Sequence, residues 1–261
     1  MPADPVPSPL RSLMYHSVAD PADDPYQVTV SPRRLEQHLR RLRGRGLTGV
    51  SMDRLLRARA EGRDAGLVGL TFDDGYADFL TAALPLLRAY GCTATVYVLP
   101  GRLGGTNAWD TPGPRKPLLT EDGVRQAAAA GMEIGSHGLR HTDLTEVDDV
   151  RLAAETVHSR DLLRDLLHGI PGAEVNGFCY PYGAVDVRAV EAVRDAGYAY
   201  GVGVSPGPLT GLFALPRVHA GERDTAARLH LKLLLYPWRR VPVPYAPYPA
   251  VAGTLAGRTG P

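Results

Sequence analysis

The chain has 261 residues, 44% hydrophobic and 22% charged, with 29 basic against 28 acidic residues for a formal net charge of +1. That length suits a single α/β unit. The near-balanced charge lacks the positive field that nucleic-acid binding needs, and no run approaches the roughly 18 apolar residues of a membrane span, so small-molecule or glycan chemistry is the reading left.

In the opening MPADPVPSPL, prolines and Asp4 interrupt any apolar leader, which predicts no export signal and a cytoplasmic location. Residues 13–18 read as the first strand, and 32–45 as a helix with Leu35, Leu39 and Leu42 on one face. A second strand covers 67–72. The helical stretch 77–90 contains Pro85, which predicts a kink or restart, and Gly91 marks its end. A strand over 93–99 leads into the loop 101–117, where Trp109 either stacks on a sugar or anchors the loop. Further strands are expected at 132–134, 177–180 and 198–204. Between them, Val147, Val150, Ala154 and Val157 predict one apolar helix face, and 186–196 a helix stopped by Gly197. Cys92 and Cys179 are too far apart for a Cys-x-x-Cys metal pair and are expected as buried, reduced core residues.

Alternating strand and helix implies parallel strands with helices outside, either an open doubly wound sheet or a closed barrel. Residues 1–235 are expected to form one catalytic domain. From Tyr236 onward, prolines at 237, 242, 244, 247 and 249 predict an extended, solvated tail over 236–261.

Three segments carry chemistry. In LTFDDGYAD an apolar strand runs into Asp73 and Asp74; side chains alternate along a strand, so one acid can hold a metal while the other handles protons, although Asp-Asp-Gly is equally a turn sequence. In EIGSHGLRH, His137 and His141 stand four apart, a spacing that serves a divalent ion and also occurs by chance on surface helices. In GFCYPYGAVD, Tyr182 and Gly183 follow a strand, where a backbone amide can face an oxyanion or simply make a turn. Loops after the ends of parallel strands converge on one rim, so the three gain weight together.

In this order the motifs resemble the polysaccharide deacetylases, also called the NodB-homology or family 4 carbohydrate esterases, over residues 11–235. The resemblance implies a distorted (β/α) barrel of about seven parallel strands. It also implies that Asp73 is the catalytic base and that Asp74, His137 and His141 hold one divalent metal ion, with zinc fitting the ligand set and cobalt or nickel as alternatives. Many members have an arginine in the third motif, where this chain reads Cys179-Tyr180-Pro181-Tyr182-Gly183. The Tyr-Pro form, with the early Tyr15-His16 pair, is similar to the branch that acts on poly-N-acetylglucosamine, which implies His16 as general acid. The late alternative, His219 in LPRVHAGERD, matches its motif poorly, and Arg217 is expected to compensate for the missing arginine.

The implied reaction is removal of an N-acetyl group from an amino sugar or N-acetylated glycoside, with the Tyr182 amide at the oxyanion. No nucleic-acid partner and no membrane span are expected. A carbohydrate-binding protein without catalysis, and the same chemistry on another amide or an O-acetyl ester, are the rival readings.

Overall fold

In the computed structural model, which describes residues 10–111, 113–204 and 211–235, the run LVGLTF becomes a strand with five of its six residues buried. An apolar run of this kind suits a strand covered on both faces, as in a parallel sheet. In chain order the strands are β1 (Ser12–Tyr15), β2 (Ser17–Val18), β3 (Thr29–Val30), β4 (Thr48–Val50), β5 (Leu67–Phe72), β6 (Thr95–Val98), β7 (Glu133–Ser136), β8 (Gly177–Cys179), β9 (Tyr200–Val202) and β10 (Val218–His219). Seven lie side by side in the order β10-β1-β5-β6-β7-β8-β9, β4 also pairs with β5, and every pairing is parallel. β2 and β3 pair apart from this sheet. At the far edge Leu215, just before β10, bridges Val202 of β9. The sheet is thus curled into the barrel-like form expected, with β1 lying between β5 and the late strand β10.

The helices are α1 (Pro32–Arg43), α2 (Met52–Ala60), α3 (Leu84–Ala89), α4 (Glu121–Ala129), α5 (Asp149–Ala153), α6 (Ser159–Leu167), α7 (Val187–Asp195) and α8 (Ala226–Leu235). Their starts are locally encoded: the side chains of Ser31, Ser51, Thr120 and Asp186 accept from amides of the first turn of α1, α2, α4 and α7. Pro85 lies inside one unbroken helical run over 78–89, which changes winding just before it. A π-helical turn over Phe79–Ala83 runs directly into α3, which carries Pro85 as its second residue, a local change in the helical ladder of the kind proline imposes. Among the described residues no helix is long and apolar enough to cross a membrane.

Two expectations need correction. The predicted strand over 13–18 splits into β1 and β2 around His16. The valine face after His141 does not form either: Val150 is 82% and Val157 44% exposed, whereas Leu152, Glu155, Thr156, Ser159 and Leu163 are buried. A π-helical turn, Ala154–His158, separates α5 from α6 and shifts the helical phase. Glu155 turns inward because its carboxylate accepts from the backbone amides of Leu139 (2.6 Å) and Arg140 (2.9 Å) and from Thr142 Oγ1 (2.9 Å). That carboxylate ties down the segment bearing His137 and His141. The tail expected from residue 236 lies outside the described residues.

Candidate metal centre and active site

Asp73 and Asp74 follow directly on the last residue of β5, and the Asp73 amide extends the sheet by donating to Tyr15 O at 2.9 Å. Asp74 then adopts φ +70°, a left-handed conformation that L-residues keep only where surroundings enforce it. His137 follows β7, its amide held by Val98 O at 2.8 Å, and the chain turns through Gly138 (φ +81°) to reach His141 (φ +64°). A methyl on Gly138 would lie 2.9 Å from Glu155 Oε2, so the turn and its carboxylate anchor leave room only for glycine.

These turns bring three buried ligand groups together. Asp74 Oδ1 lies 3.2 Å from His137 Nε2 and 3.3 Å from His141 Nε2. It is buried and finds no hydrogen-bond partner among the described residues, an arrangement too costly to persist without a compensating charge. Four-coordinate zinc with bonds of about 2.0–2.1 Å spaces its donors about 3.3–3.4 Å apart, so the donor set fits a divalent ion. His137 is oriented by Nδ1 against Cys179 O at 2.8 Å, the outer contact typical of a ligating imidazole. Burial holds the His141 imidazole below its ordinary value, hence neutral at pH 7, the form that binds metal. His137 goes the other way: burial opposes its charge, but the Cys179 carbonyl at Nδ1 and the Asp74 carboxylate at Nε2 push it well above the ordinary value. A proton there competes with a cation for Asp74.

Asp73 stands beside that cluster, with a carboxylate oxygen within 4.8 Å of a His137 ring nitrogen, and is paired elsewhere. Arg217 Nη1 donates to Asp73 Oδ1 at 2.6 Å and Nη2 to Oδ2 at 2.8 Å, a bidentate pair between side chains that are 1% and 3% exposed. Arg217 Nη1 also donates to Thr71 Oγ1, and Nε to Gly203 O, so the guanidinium fastens the seam of the barrel. Beneath it the Tyr97 ring centroid is 5.6 Å away, and Tyr97 donates to Tyr200, which donates to Glu133. Burial raises the Asp73 carboxyl, but Arg217 and then His16 outweigh it, leaving the group below the usual carboxylate range and ionised.

His16 Nε2 lies 3.9 Å from Asp73 Oδ2. His219 is its neighbour, with ring centroids 6.4 Å apart, and burial, followed by the proximity of His16, lowers its affinity for protons. Tyr182, φ +59° and 62% exposed, packs edge-on against His141 at 4.4 Å. The fold therefore brings Asp73, Asp74, His137, His141, Arg217, His16 and Tyr182 into one neighbourhood and leaves His219 one step removed.

Cys179 was missed as a site residue. Its sulfur receives Arg217 Nη2 at 3.1 Å and stands 3.4 Å from Asp73 Oδ2, and burial pushes the thiol up so that it stays protonated. The signal was present: this cysteine occupies the motif position where the resemblance expects an arginine. Glu155 gave no signal, since a carboxylate beside Ala153 and Ala154 reads as solvent-facing.

Comparison with known proteins bears on the family and the fold. A family model described as polysaccharide deacetylase matches residues 60–201. YxkH of Bacillus subtilis (strain 168), which bears that family's name, is 27% identical over 217 residues, 81% of this chain and 71% of its own length. Among solved structures, the deacetylase PplD of Streptococcus pyogenes in complex with acetate superposes with a TM-score of 0.71 at 23% identity, over 87% of this chain and 99% of that one. IcaB from Ammonifex degensii follows at 0.65 and 22%, over 86% and 97%; both support the fold.

Proposed function

Because this chain belongs to the polysaccharide deacetylase family, we propose that it hydrolyses the N-acetyl group of an amino sugar or of an N-acetylated glycan or glycoside, with one divalent metal ion, zinc in the first instance. The observation that carries this reading is the division of labour between adjacent acids. Asp74 converges with two imidazoles while Asp73 is held ionised by Arg217 beside them.

Asp74, His137 and His141 would hold the ion, which when bound supplies Lewis acidity towards water and the acyl carbonyl. Asp73 accepts the proton of the attacking water. Two of its lone-pair positions are used by Arg217 and a third faces the Cys179 thiol, so a carboxylate with about four such positions keeps one for this proton. The Tyr182 amide serves the developing oxyanion. His16 delivers a proton to the amide nitrogen before the C–N bond breaks, because an amine leaves far more readily than its anion. Water and the amide are thereby converted to acetate and a free amine. The pairing of Arg217 with Asp73 supplies the charge that the third motif lacks, which favours hydrolysis over a binding-only protein.

The test is acetate release over a panel of N-acetylated sugars, oligomers and O-acetyl esters, before and after chelation and with Zn2+, Co2+ or Ni2+ restored. Release that survives complete chelation would overturn the metal-dependent reading. For His16, replacement by Gln is expected to lower kcat about 10²-fold or more on amides and much less on an activated ester whose leaving group needs no proton. Equal losses on both substrates would remove His16 as the acid.

A further inference from the structure

Ligating histidines need their rings fixed, and the usual device is a hydrogen bond from the second nitrogen. His137 has one, through Nδ1 to Cys179 O. His141 does not: among the described residues no protein group partners its buried Nδ1. Its ring is instead clasped by aromatics. Trp109 lies nearly parallel to it, with centroids 4.5 Å apart and planes 13° apart, and Tyr182 meets it edge-on at 77°.

We infer that Trp109 is a positioning residue for the metal ligand His141, so that the loop 101–117 controls metal affinity rather than offering this indole to a sugar. Three observations carry it. The indole face that stacks on His141 is occupied. On the same indole, the Arg102 guanidinium carbon sits 5.6 Å from the ring centroid while Arg102 Nε donates to Arg140 O, in the ligand segment itself. The neighbouring Asp110 is fixed by Tyr76 Oη at 3.2 Å and Asn107 Nδ2 at 3.1 Å, which sets the indole's place. The loop and the ligand segment thus grip each other through a cation, an indole and an imidazole.

This rests on the assignment of Asp74, His137 and His141 as ligands, and the test separates the two claims. Metal dissociation constants are measured for the full-length wild type, Trp109→Phe and Trp109→Ala by equilibrium dialysis against Zn2+, alongside kcat and KM at limiting and saturating metal. Trp109→Ala should bind metal about tenfold more weakly, at the lower end of what outer contacts contribute. Its kcat should recover at saturating metal with KM unchanged, and Trp109→Phe should retain most of the affinity. Wild-type metal affinity in Trp109→Ala overturns the inference, and a raised KM in that variant would give the indole to the substrate. Wild type without stoichiometric metal would remove the centre itself. The contact also has a direct reporter independent of the alanine variant: with the other tryptophan changed, Trp238→Phe, stoichiometric Co2+ should quench the emission of Trp109, and unchanged emission counts against the contact.

Discussion

Asp73→Asn is expected to retain one metal ion per chain and to lose about 10²–10⁴-fold in kcat, the range over which a positioned base contributes. The asparagine has the same shape, so the ligand groups on Asp74, His137 and His141 need not move. Its amide nitrogen accepts nothing, whereas the carboxylate it replaces faces Arg217, the Cys179 thiol and His16. The site would keep its ion and lose its proton acceptor. Metal content and acetate release measured on one preparation decide it: undiminished release removes Asp73 as base, and loss of the ion would mean that the two adjacent acids are not independent.

Arg217→Met should be the most destabilising single change at the site, by about 3–5 kcal/mol, because a buried ion pair broken on one side leaves an uncompensated charge. The methionine fills much of the stem's volume but supplies nothing to Asp73 Oδ1 or Oδ2, to Thr71 or to Gly203. The single variant mixes two effects, lost bonds and a stranded carboxylate, and a double-variant cycle separates them. Adding Asp73→Asn to Arg217→Met removes the stranded charge and should recover a large part of the loss. Urea denaturation of the four proteins gives the coupling. Additive losses would mean that the pair contributes little and that Arg217 acts only by filling space. Arg217→Lys should not rescue, since an ammonium cannot reproduce two parallel donors.

Much of this was legible in the letters, for identifiable reasons. β5 has the bounds expected because six consecutive residues suited to a covered strand are followed abruptly by two acids. α1 and α7 were readable because the leucine spacing of the one and the glycine stop after the other are local signals. β4 and β10 were not, being three and two residues long, too short for periodicity to register. The valine face failed for a different reason: a π-helical turn has no recognisable pattern, and burial of Glu155 is decided by two amides and a hydroxyl 13 to 16 residues earlier in the chain. The same limit applied at the site. Asp73, Asp74, His137 and His141 stand in compact motifs, whereas the partnership of Arg217 with Asp73 spans 144 residues and only the missing arginine hinted that one was needed.

The order β10-β1-β5 has a consequence for how the protein is made. A ribosome releases Asp74, His137 and His141 once residue 141 has emerged, yet the guanidinium that balances Asp73 arrives 76 residues later, on the approach to β10. Until then the nascent chain carries a carboxylate that cannot enter a dry interior cheaply. Closure of the barrel must wait until residue 217 has emerged, so the candidate site is completed in one late step rather than accumulated along the way.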